Sequence, residues 1–493
     1  MSNITQQTIQ NGIPAYDREM IHYEELSQGI YALTYKVDNI RHKYSKDQIN
    51  NYIDSNNEQK LREVSNYFFF SSGQYRRLVQ YYTNILTYDY IVVPKVKDEK
   101  SYGTRNFEKD YQMILDYTDN AYIEETERFI TFVTILDGVF YGYEKQIDNI
   151  VSIKQLPPRF CRSKYKINGT YGVEFNLNFF DMYKDTSLKI KLFDMFPEEF
   201  LGYYLDYKAG KTKEWVQLDP LFARCHKFQD QPKPLLSDIF LELMDLKEYK
   251  EMDKSRSKLD LYKLITQKLP TDKETGLPLL QLEEAKALHS NAKKMINQEG
   301  IDVLTSPLDV QAVNLQERGS TVKDNIERAT KSVYEVAGTS KILFSSGSDG
   351  GSIGLSQSIK TDESVLFPLL DQYKRWRDNA LKKMVKNGKY SFEIIFPKIT
   401  IYNRKEMFDM YKEAATFGYP KTLLSVAMGI KQTTFMNLIN LENKYLNLNE
   451  VMMPLQSSHT QSDSSGRPEL QDEKLSVNGR KAKENETNET RAT

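Results

Sequence analysis

Two segments of the chain carry residue types that bind phosphate groups in many proteins. Gly210-Lys211-Thr212 has the ending of a phosphate-binding loop, but that motif needs a glycine five residues before its Gly-Lys pair, where this chain has Leu205. We interpret the tripeptide as a hairpin turn. Residues 345–354, SSGSDGGSIG, have no lysine at the required offset and do not follow a strand of a βαβ unit. Neither segment predicts a nucleotide site.

Candidate groups for metal binding or acid–base chemistry are scattered along the chain. No two histidines have His-x-x-x-His spacing, and Cys161 and Cys225 are too far apart to form a metal-ligand pair. Acid pairs such as Glu198-Glu199 and Glu283-Glu284 are typical of solvated faces. We therefore expect no catalytic residue, no cofactor and no metal, and a protein that is not an enzyme. The histidines are His22, His42, His226, His289 and His459.

The composition excludes further classes of protein. A chain of 493 residues is long for one hydrophobic core, so we expect several domains. Its formal net charge of −1 gives no global basic field of the kind that marks a dedicated DNA-binding protein. No apolar run is long enough to span a bilayer, and the N-terminal residues lack the pattern of a signal peptide. The scarcity of cysteine favours synthesis in a reducing cytoplasm.

Helical spacing of apolar residues dominates residues 1–125, with a break at Ser71-Ser72-Gly73 and a stop at Pro94. The stretch FITFVTILDGVFYGY, residues 129–143, is β-branched and aromatic around Asp137-Gly138, which predicts a β-hairpin. Further strand-like pieces follow, with a turn at Asn168-Gly169. Residues 126–231 are therefore predicted to be a β-rich module.

Two predicted helices, residues 235–264 and 321–337, bracket a small module with its own helix, EEAKALHSNAKKMINQ, and one or two strands in GIDVLTSPLDVQAVNL. Two helices that flank an inserted module form a hairpin with the module at its tip. The second helix carries one narrow apolar stripe, for which we expect a packing role. The stripe consists of Val322, Ile326, Ala329, Val333 and Val336.

The remainder of the chain is predicted to be helical with one strand. Gly338 ends the second helix of the pair, and the glycine- and serine-rich residues 345–354 follow as a flexible loop. A long helix that contains Pro368 comes next, then a strand in SFEIIFPKITIY and further helices. From Pro454 onward the chain has almost no aliphatic residues, so we expect disorder there.

These pieces occur in an order that resembles the portal proteins of tailed bacteriophages. The resemblance covers roughly residues 230–450, and the β-rich module before it is compatible but less diagnostic. No single motif in the series is catalytic. In chain order the pieces are PLLSDIFLELMDL, KLITQKLPTDKETGLPLL, LTSPLDV, TVKDNIERATKSVYEVAGTSKILF, SIGLSQSIKTDES, LLDQYKRWRDNAL and ITIYNRKEMFDMYKEAATFGYPK.

The resemblance implies an α+β fold for a portal-like ring subunit. It would comprise a wing of helices and strands (1–231), a two-helix stem (232–264 and 320–338), a small α/β clip (265–319) and a tunnel loop (339–356). The wing would be completed by a helix and strand (357–402), followed by a helical crown (403–450) and a disordered tail (451–493).

The resemblance also implies a function and a set of partners. Portal proteins form a ring, usually of twelve copies, at one capsid vertex, through which double-stranded DNA is packaged and ejected. The expected partners are the packaging motor (terminase), the major capsid protein and head-completion or tail and neck proteins, in the virion and without a membrane span. The alternatives are another virion structural or scaffold protein and a nucleotide-dependent packaging enzyme. The tunnel-loop residues expected to face DNA are Ser345, Ser346, Gly347, Ser348, Asp349, Gly350, Gly351 and Ser352.

Overall fold

The computed structural model describes residues 44–147, 150–182, 186–261, 263–268, 270, 281–295, 301–306, 319–344 and 352–448. The predictions for the N-terminal 43 residues, for 345–351 and for the tail beyond Pro454 lie outside these residues. Within them the fold is α+β, as the sequence predicts. No helix in the described ranges is both long enough and apolar enough to span a membrane.

The helices and strands are numbered in chain order. The helices are α1 (Lys46–Asp54), α2 (Glu58–Ser71), α3 (Gly73–Ile85), α4 (Arg105–Asn120), α5 (Ile123–Asp137), α6 (Thr186–Asp194), α7 (Glu198–Lys208), α8 (Phe240–Leu261), α9 (Leu282–Met295), α10 (Gly319–Val336), α11 (Ser352–Met384), α12 (Arg404–Thr416), α13 (Thr422–Ala427) and α14 (Gln432–Asn440). The strands are β1 (Ile91–Val96), β2 (Val139–Ile147), β3 (Ile150–Gln155), β4 (Cys161–Arg162), β5 (Lys166–Ile167), β6 (Thr170–Tyr171), β7 (Glu174–Asn176), β8 (Trp215–Gln217), β9 (Ala223–Lys227), β10 (Lys263–Lys268), β11 (Ile301–Ser306) and β12 (Tyr390–Ile395).

The predicted break between α2 and α3 is confirmed. Ser72 ends α2, because its backbone N–H donates to Phe68 O (2.8 Å), and it also caps α3, because its Oγ accepts from the N–H of Tyr75 (3.3 Å). A hydroxyl at the N-cap satisfies one of the backbone donors that a helix start leaves free. One serine therefore sets the boundary between two helices.

The hairpin predicted at Asp137-Gly138 is wrong. Residues up to Asp137 form the buried helix α5, and Gly138, with φ +80°, ends that helix before β2 begins. An Asp-Gly pair signals a hairpin turn, but a left-handed glycine serves equally well at a helix C-terminus. No other residue fits, because a Cβ at Gly138 would lie 2.3 Å from the backbone of Lys233.

The sheets are small, and one of them joins distant parts of the chain. β1 pairs antiparallel with β12, with Ile91 opposite Ile395 and Val96 opposite Tyr390. β2 lies between β3 and β9, β7 lies between β4 and β8, and β5 forms a hairpin with β6 around the predicted Asn168-Gly169 turn. β10 and β11 pair in parallel.

The β-rich module predicted from about residue 126 begins only at Val139, and it contains two unpredicted helices, α6 and α7. Its hydrophobic core is largely aromatic, and Phe175, Phe180 and Phe200 are fully buried in it. A separate core joins α2, α3, α5, α8, α10 and α11 with the β1–β12 pair. A third, small cluster places α13 against Ile91 and Ile399.

The chain divides into two compact units, residues 1–433 and 434–493. The described part of the second unit is helical and apolar, yet it buries none of its side chains. Its exposed large apolar residues are Met436, Leu438, Leu441, Tyr445 and Leu446.

Candidate functional site

The predicted pair of helices is present, and its burial changes along its length. α8 packs against α10. Near its start α8 buries Phe240, Leu243 and Leu246, whereas the described residues from Lys250 to Ser255 are exposed or half-buried. α10 shows the reverse order, because its buried residues, Ala329 and Val333, lie toward its C-terminus. The chain therefore leaves the core along α8 and returns to it along α10.

The apolar stripe of α10 is partly placed by the structure. Val333 is fully buried, Ala329 is buried, and Ile326 is half-buried against the same core. Val336, however, is 45% exposed. The side chain of Val322 lies outside the described residues. The buried members of the stripe thus stabilise the fold of the chain itself.

Charged and polar contacts fix the base of α8 against the N-terminal helices. Lys46, at the start of α1, contacts Asp245 and lies 2.9 Å from Glu248 Oε2. Lys247 Nζ donates to the hydroxyl of Tyr67 on α2 at 3.0 Å. α8 is therefore held on its polar as well as its apolar side where it enters the core.

The module between the helices is a βαβ unit. β10 follows α8, α9 crosses over and lies against β11, and the two strands pair in parallel with Lys263 opposite Ile301. The predicted helix is confirmed as α9, and one of the predicted strands is confirmed as β11. The first helix was expected to reach Leu264, but the strand begins at Lys263.

Helix α10 ends just before Gly338, as the sequence predicts. Gly338 has φ +75°, and the N–H of Thr339 donates to Tyr334 O at 3.1 Å. A 3₁₀-turn, Lys341–Leu343, follows. The predicted tunnel loop was placed at 339–356, but helix α11 already begins at Ser352, so Ser352 is a helical residue. Residues 345–351 lie outside the described residues.

Aromatic and acidic side chains gather on both sides of 345–351, and we call this group the Asp362 cluster. Phe344 stacks on Tyr334 of α10 (5.0 Å between ring centroids) and meets the ring of Tyr81 edge-on (5.3 Å). The hydroxyl of Tyr81 donates to Asp362 Oδ2 of α11 at 2.9 Å. The hydroxyl of Tyr82 lies 3.3 Å both from Asp362 Oδ1 and from Ala337 O.

The Asp362 cluster holds two buried carboxylates. Asp362 is 2% exposed and Glu363 is 5% exposed, and Glu363 accepts a hydrogen bond from Thr400 Oγ1. Within the described ranges neither carboxylate has an ion-pair partner within 4 Å. Burial raises the pKa of Asp362 to about 6, and Glu363 adds to this, although the Tyr81 and Tyr82 hydroxyls oppose it.

A second buried group of charges contains two arginines and two glutamates, and we call it the ion quartet. Arg224 of β9 binds Glu144 Oε2 at 2.7 Å and Glu127 Oε2 at 2.6 Å. Arg377 of α11 binds Glu144 Oε1 at 2.5 Å, and its Nη2 lies 2.9 Å from Glu127 Oε1. All four side chains are at most 3% exposed. Each carboxylate therefore has two cationic partners, and the formal charges of the four side chains sum to zero.

The protonation states inside the quartet follow from these contacts. Burial alone would raise the pKa of Glu144, but the guanidinium groups of Arg377 and Arg224 outweigh burial and hold that pKa below its usual value. His226 accepts from Arg224 Nε at 3.3 Å, and burial together with both arginines lowers its pKa well below the usual range. His226 is therefore neutral and structural.

The other sequence candidates do not form a reaction centre in the described chain. Gly210 (φ +73°) ends helix α7, so Gly210-Lys211-Thr212 is a helix C-terminus and not the hairpin turn that we predicted; Lys211 pairs with Asp206 at 3.0 Å.

No cluster of three or more potential metal ligands occurs among the described residues. Residues 350–354 also spell Gly-x-Ser-x-Gly, a hydrolase signature that the sequence reading missed. That signature places its serine between a strand and a helix; α11 begins at Ser352, and the residues directly before it lie outside the described residues.

Sequence reasoning did not identify the Asp362 cluster or the ion quartet. The residues that form the quartet are up to 250 positions apart, so no local pattern joins them. The only signal in the sequence was the adjacent Asp362-Glu363 pair at the start of an apolar run.

Comparison with solved structures finds 42 chains that are similar in structure. No protein-family model matches the chain, and no curated protein matches it. A chain in a solved structure described as "Virion of native gene transfer agent (GTA) particle" is similar over 76% of this chain and 93% of its own length, with a TM-score of 0.40 and 10% identity. Similarity at that level carries no argument about function.

Proposed function

We propose that this chain is a portal protein: a ring-forming virion structural protein through which double-stranded DNA passes. The observation that carries the proposal is the pair of packed helices α8 and α10, whose described side chains are buried at one end of the pair, with the βαβ unit of β10, α9 and β11 between its helices. In the portal resemblance these elements are the stem and the clip. The order of motifs in the sequence supports the same assignment.

The charges on the exposed parts of the two helices suit a channel that does not hold DNA tightly. Among the described residues, the exposed or half-buried charged side chains of α8 and α10 are of both signs, so they form no continuous basic surface. Each firm phosphate contact adds affinity, and a tightly bound duplex cannot slide. These residues include Glu248, Lys250, Glu251, Lys254, Asp324, Glu327, Arg328 and Lys331.

The proposal includes the assembly and its partners. A ring, of twelve copies in the portal pattern, would dock the packaging motor, contact the major capsid protein and receive the tail or neck proteins. The exposed apolar residues of the C-terminal helices favour a chain that is covered by other chains in its working state. Residues 345–351 are proposed to approach the DNA in the channel, since their small side chains allow close contact.

Imaging of the purified full-length protein tests the proposal directly. We expect rings with a central hole by negative-stain microscopy and a single large species by sedimentation. Stable monomer alone at micromolar concentration and ordinary salt would contradict it. Filaments or sheets without a hole would favour a different virion structural or scaffold protein. Nucleotide hydrolysis that is lost with the Lys211→Ala change would favour the packaging enzyme.

The role of residues 345–351 needs a test in assembled particles. Deletion of residues 348–351 leaves α11 intact and should allow rings to form, while the particles should contain less DNA. A variant with the same four residues in scrambled order keeps length and composition and should package normally. Normal DNA content in the deletion particles would show that this segment is a linker.

A further inference from the structure

The Asp362 cluster contains a choice between two hydrogen bonds that the structure leaves balanced. Tyr82 has one hydroxyl proton, yet two acceptors lie at the same distance of 3.3 Å: Asp362 Oδ1 on α11 and Ala337 O at the end of α10. The ring of Tyr82 is buried, so water does not readily replace either acceptor. Tyr81 also bonds α3 to Asp362 of α11, so the choice made by Tyr82 decides whether α3 is hydrogen-bonded to the end of α10 as well.

The state of Asp362 determines the choice. An ionised carboxylate can only accept hydrogen bonds, so it attracts the protons of both Tyr81 and Tyr82. A neutral carboxylic acid can donate its own proton to the oxygen of Tyr82, which leaves the Tyr82 proton for Ala337 O. The protonated form therefore completes a chain of hydrogen bonds from α11 through α3 to α10.

We propose that Asp362 is a proton-controlled latch between α11 and the end of stem helix α10. With the proton bound, Asp362 donates to Tyr82 and Tyr82 donates to Ala337 O, so the latch is closed. When the proton leaves to solvent, Tyr82 donates to Asp362, the bond to α10 is lost, and two adjacent buried carboxylates, Asp362 and Glu363, repel each other.

The surroundings of Asp362 support a latch rather than a fixed contact. The titratable groups that face it are Tyr81 and Tyr82 from α3, Tyr402 from the turn after β12, and Glu363 from its own helix. Among the described residues no lysine, arginine or histidine pairs with it. The pKa of Asp362, raised to about 6 by burial, lies close to neutral, so a modest change in pH changes its charge.

The part of α11 that the latch would control is the part outside the core. From Ile353, which is 78% exposed, to Thr361 no described side chain is buried, and burial begins at Asp362. Asp362 therefore lies where the helix enters the core. The latch rests on the contacts inside one folded chain, and it holds whether or not the chain forms a portal ring.

Hydrogen exchange on the purified full-length protein, read by mass spectrometry, tests the latch. After correction for the intrinsic pH dependence of exchange, we expect protection of residues 329–337 and 352–361 to fall about tenfold between pH 5 and pH 7.5, since one pKa unit corresponds to a tenfold change in an equilibrium. Asp362→Asn should remove this dependence. Tyr82→Phe, which cannot relay the bond, should show the low protection at both pH values.

Two matched variants make the result specific. Asp371→Asn changes an exposed carboxylate on the same helix and should keep the wild-type pH dependence. Glu363→Gln removes the neighbouring charge and should move the midpoint to lower pH, while its amide oxygen can still accept from Thr400. Equal protection of the wild type at the two pH values, or an unchanged dependence in Asp362→Asn, would overturn the proposal.

Discussion

The ion quartet and the Asp362 cluster are two buried groups of charges that each include a residue of helix α11, and they are built in opposite ways. In the quartet Arg224 and Arg377 neutralise Glu127 and Glu144, and every carboxylate oxygen has a cation within 3.0 Å. In the Asp362 cluster the two carboxylates accept hydrogen bonds from hydroxyl groups, and neither pairs with a cation among the described residues. The first arrangement fixes α5, β2, β9 and α11 together, and the second leaves a contact that depends on pH.

The two groups should therefore respond to pH in opposite directions. The pKa of Glu144 is below its usual value, so its contribution to stability is present above about pH 4.5 and is lost as the pH falls. The pKa of Asp362 rises from 3.8 to about 6, so its contribution is present below pH 3.8 and is lost as the pH rises through about 6. At neutral pH the carboxylates that are paired with arginines stabilise the fold, whereas the ionised carboxylate of Asp362 destabilises it.

Breaking the quartet should have the largest effect. Arg377→Met removes one cation and leaves Glu127 and Glu144 under-compensated in the core, so we expect a loss of about 3–5 kcal/mol in the free energy of unfolding. Urea denaturation measures it, with the soluble fraction as the readout if the variant does not fold. Arg377→Lys keeps the charge and should lose less. A loss below about 1 kcal/mol for Arg377→Met would show that the quartet is not fixed as described.

Placing a new carboxylate in the core, where it has no cationic partner, tests the same principle. Val333→Asp places a carboxylate at a fully buried position of α10, and we expect destabilisation of about 3 kcal/mol. The matched change Val336→Asp, at a 45% exposed position, should alter the stability of the isolated chain by less than about 0.5 kcal/mol. If Val336→Asp nevertheless weakens assembly in sedimentation, that side of α10 lies at a subunit interface.

Neutralising Asp362 should stabilise the protein, in contrast to the loss of a cation from the ion quartet. At pH 7.5 Asp362→Asn should raise the free energy of unfolding by about 1–2 kcal/mol, because it removes the cost of a buried carboxylate whose pKa is about 6. Near pH 4 the advantage should disappear. Thermal unfolding across that range measures the difference, and a constant difference at all pH values would contradict the assignment.

Removing the C-terminal tail should have the smallest effect. Residues 454–493 contain too little apolar sequence to offset the entropy cost of ordering, so their deletion should leave the unfolding free energy within about 0.5 kcal/mol of the full-length value. A larger loss would mean that the tail contributes packing surface to the rest of the chain or to another copy.

The sequence predicted the elements whose signals are local. Gly338 was correctly placed as the end of α10, and Ser71-Ser72-Gly73 as a break, because in each case short-range hydrogen bonds decide the outcome. α5 was missed for the opposite reason. Its β-branched residues are typical of strands, but it is buried within a helical core, and Thr131 and Thr134 satisfy their hydroxyls on the carbonyls of Glu127 and Ile130.

The two buried charge groups could not be predicted from one sequence. Glu127 and Arg377 are 250 residues apart, and in the sequence each looks like an ordinary surface charge. The helical spacing in α10 identified Val333 correctly, but it gave Val336 the same status, although that residue is exposed. Spacing defines a stripe on a helix, whereas the elements that pack against the helix decide which members of the stripe are buried.

The pairing of β1 with β12 has a consequence for how the protein is made. The two strands lie about 300 residues apart in the sequence, and β1 has no other partner among the described strands. At roughly 5–20 residues per second, a ribosome needs about 15–60 s to synthesise the intervening chain. During that time β1 has no partner strand, and Glu127 and Glu144 lack Arg377, the second of their two cationic partners.

A nascent chain in that condition is open to pairing with the wrong strand or with another chain. Pro94 in the middle of β1 withholds one backbone donor, and Lys95 beside it adds a charge, so both residues reduce this hazard. Replacing Pro94 with valine would remove that protection, and during rapid synthesis the chain should then depend more strongly on chaperones that bind early.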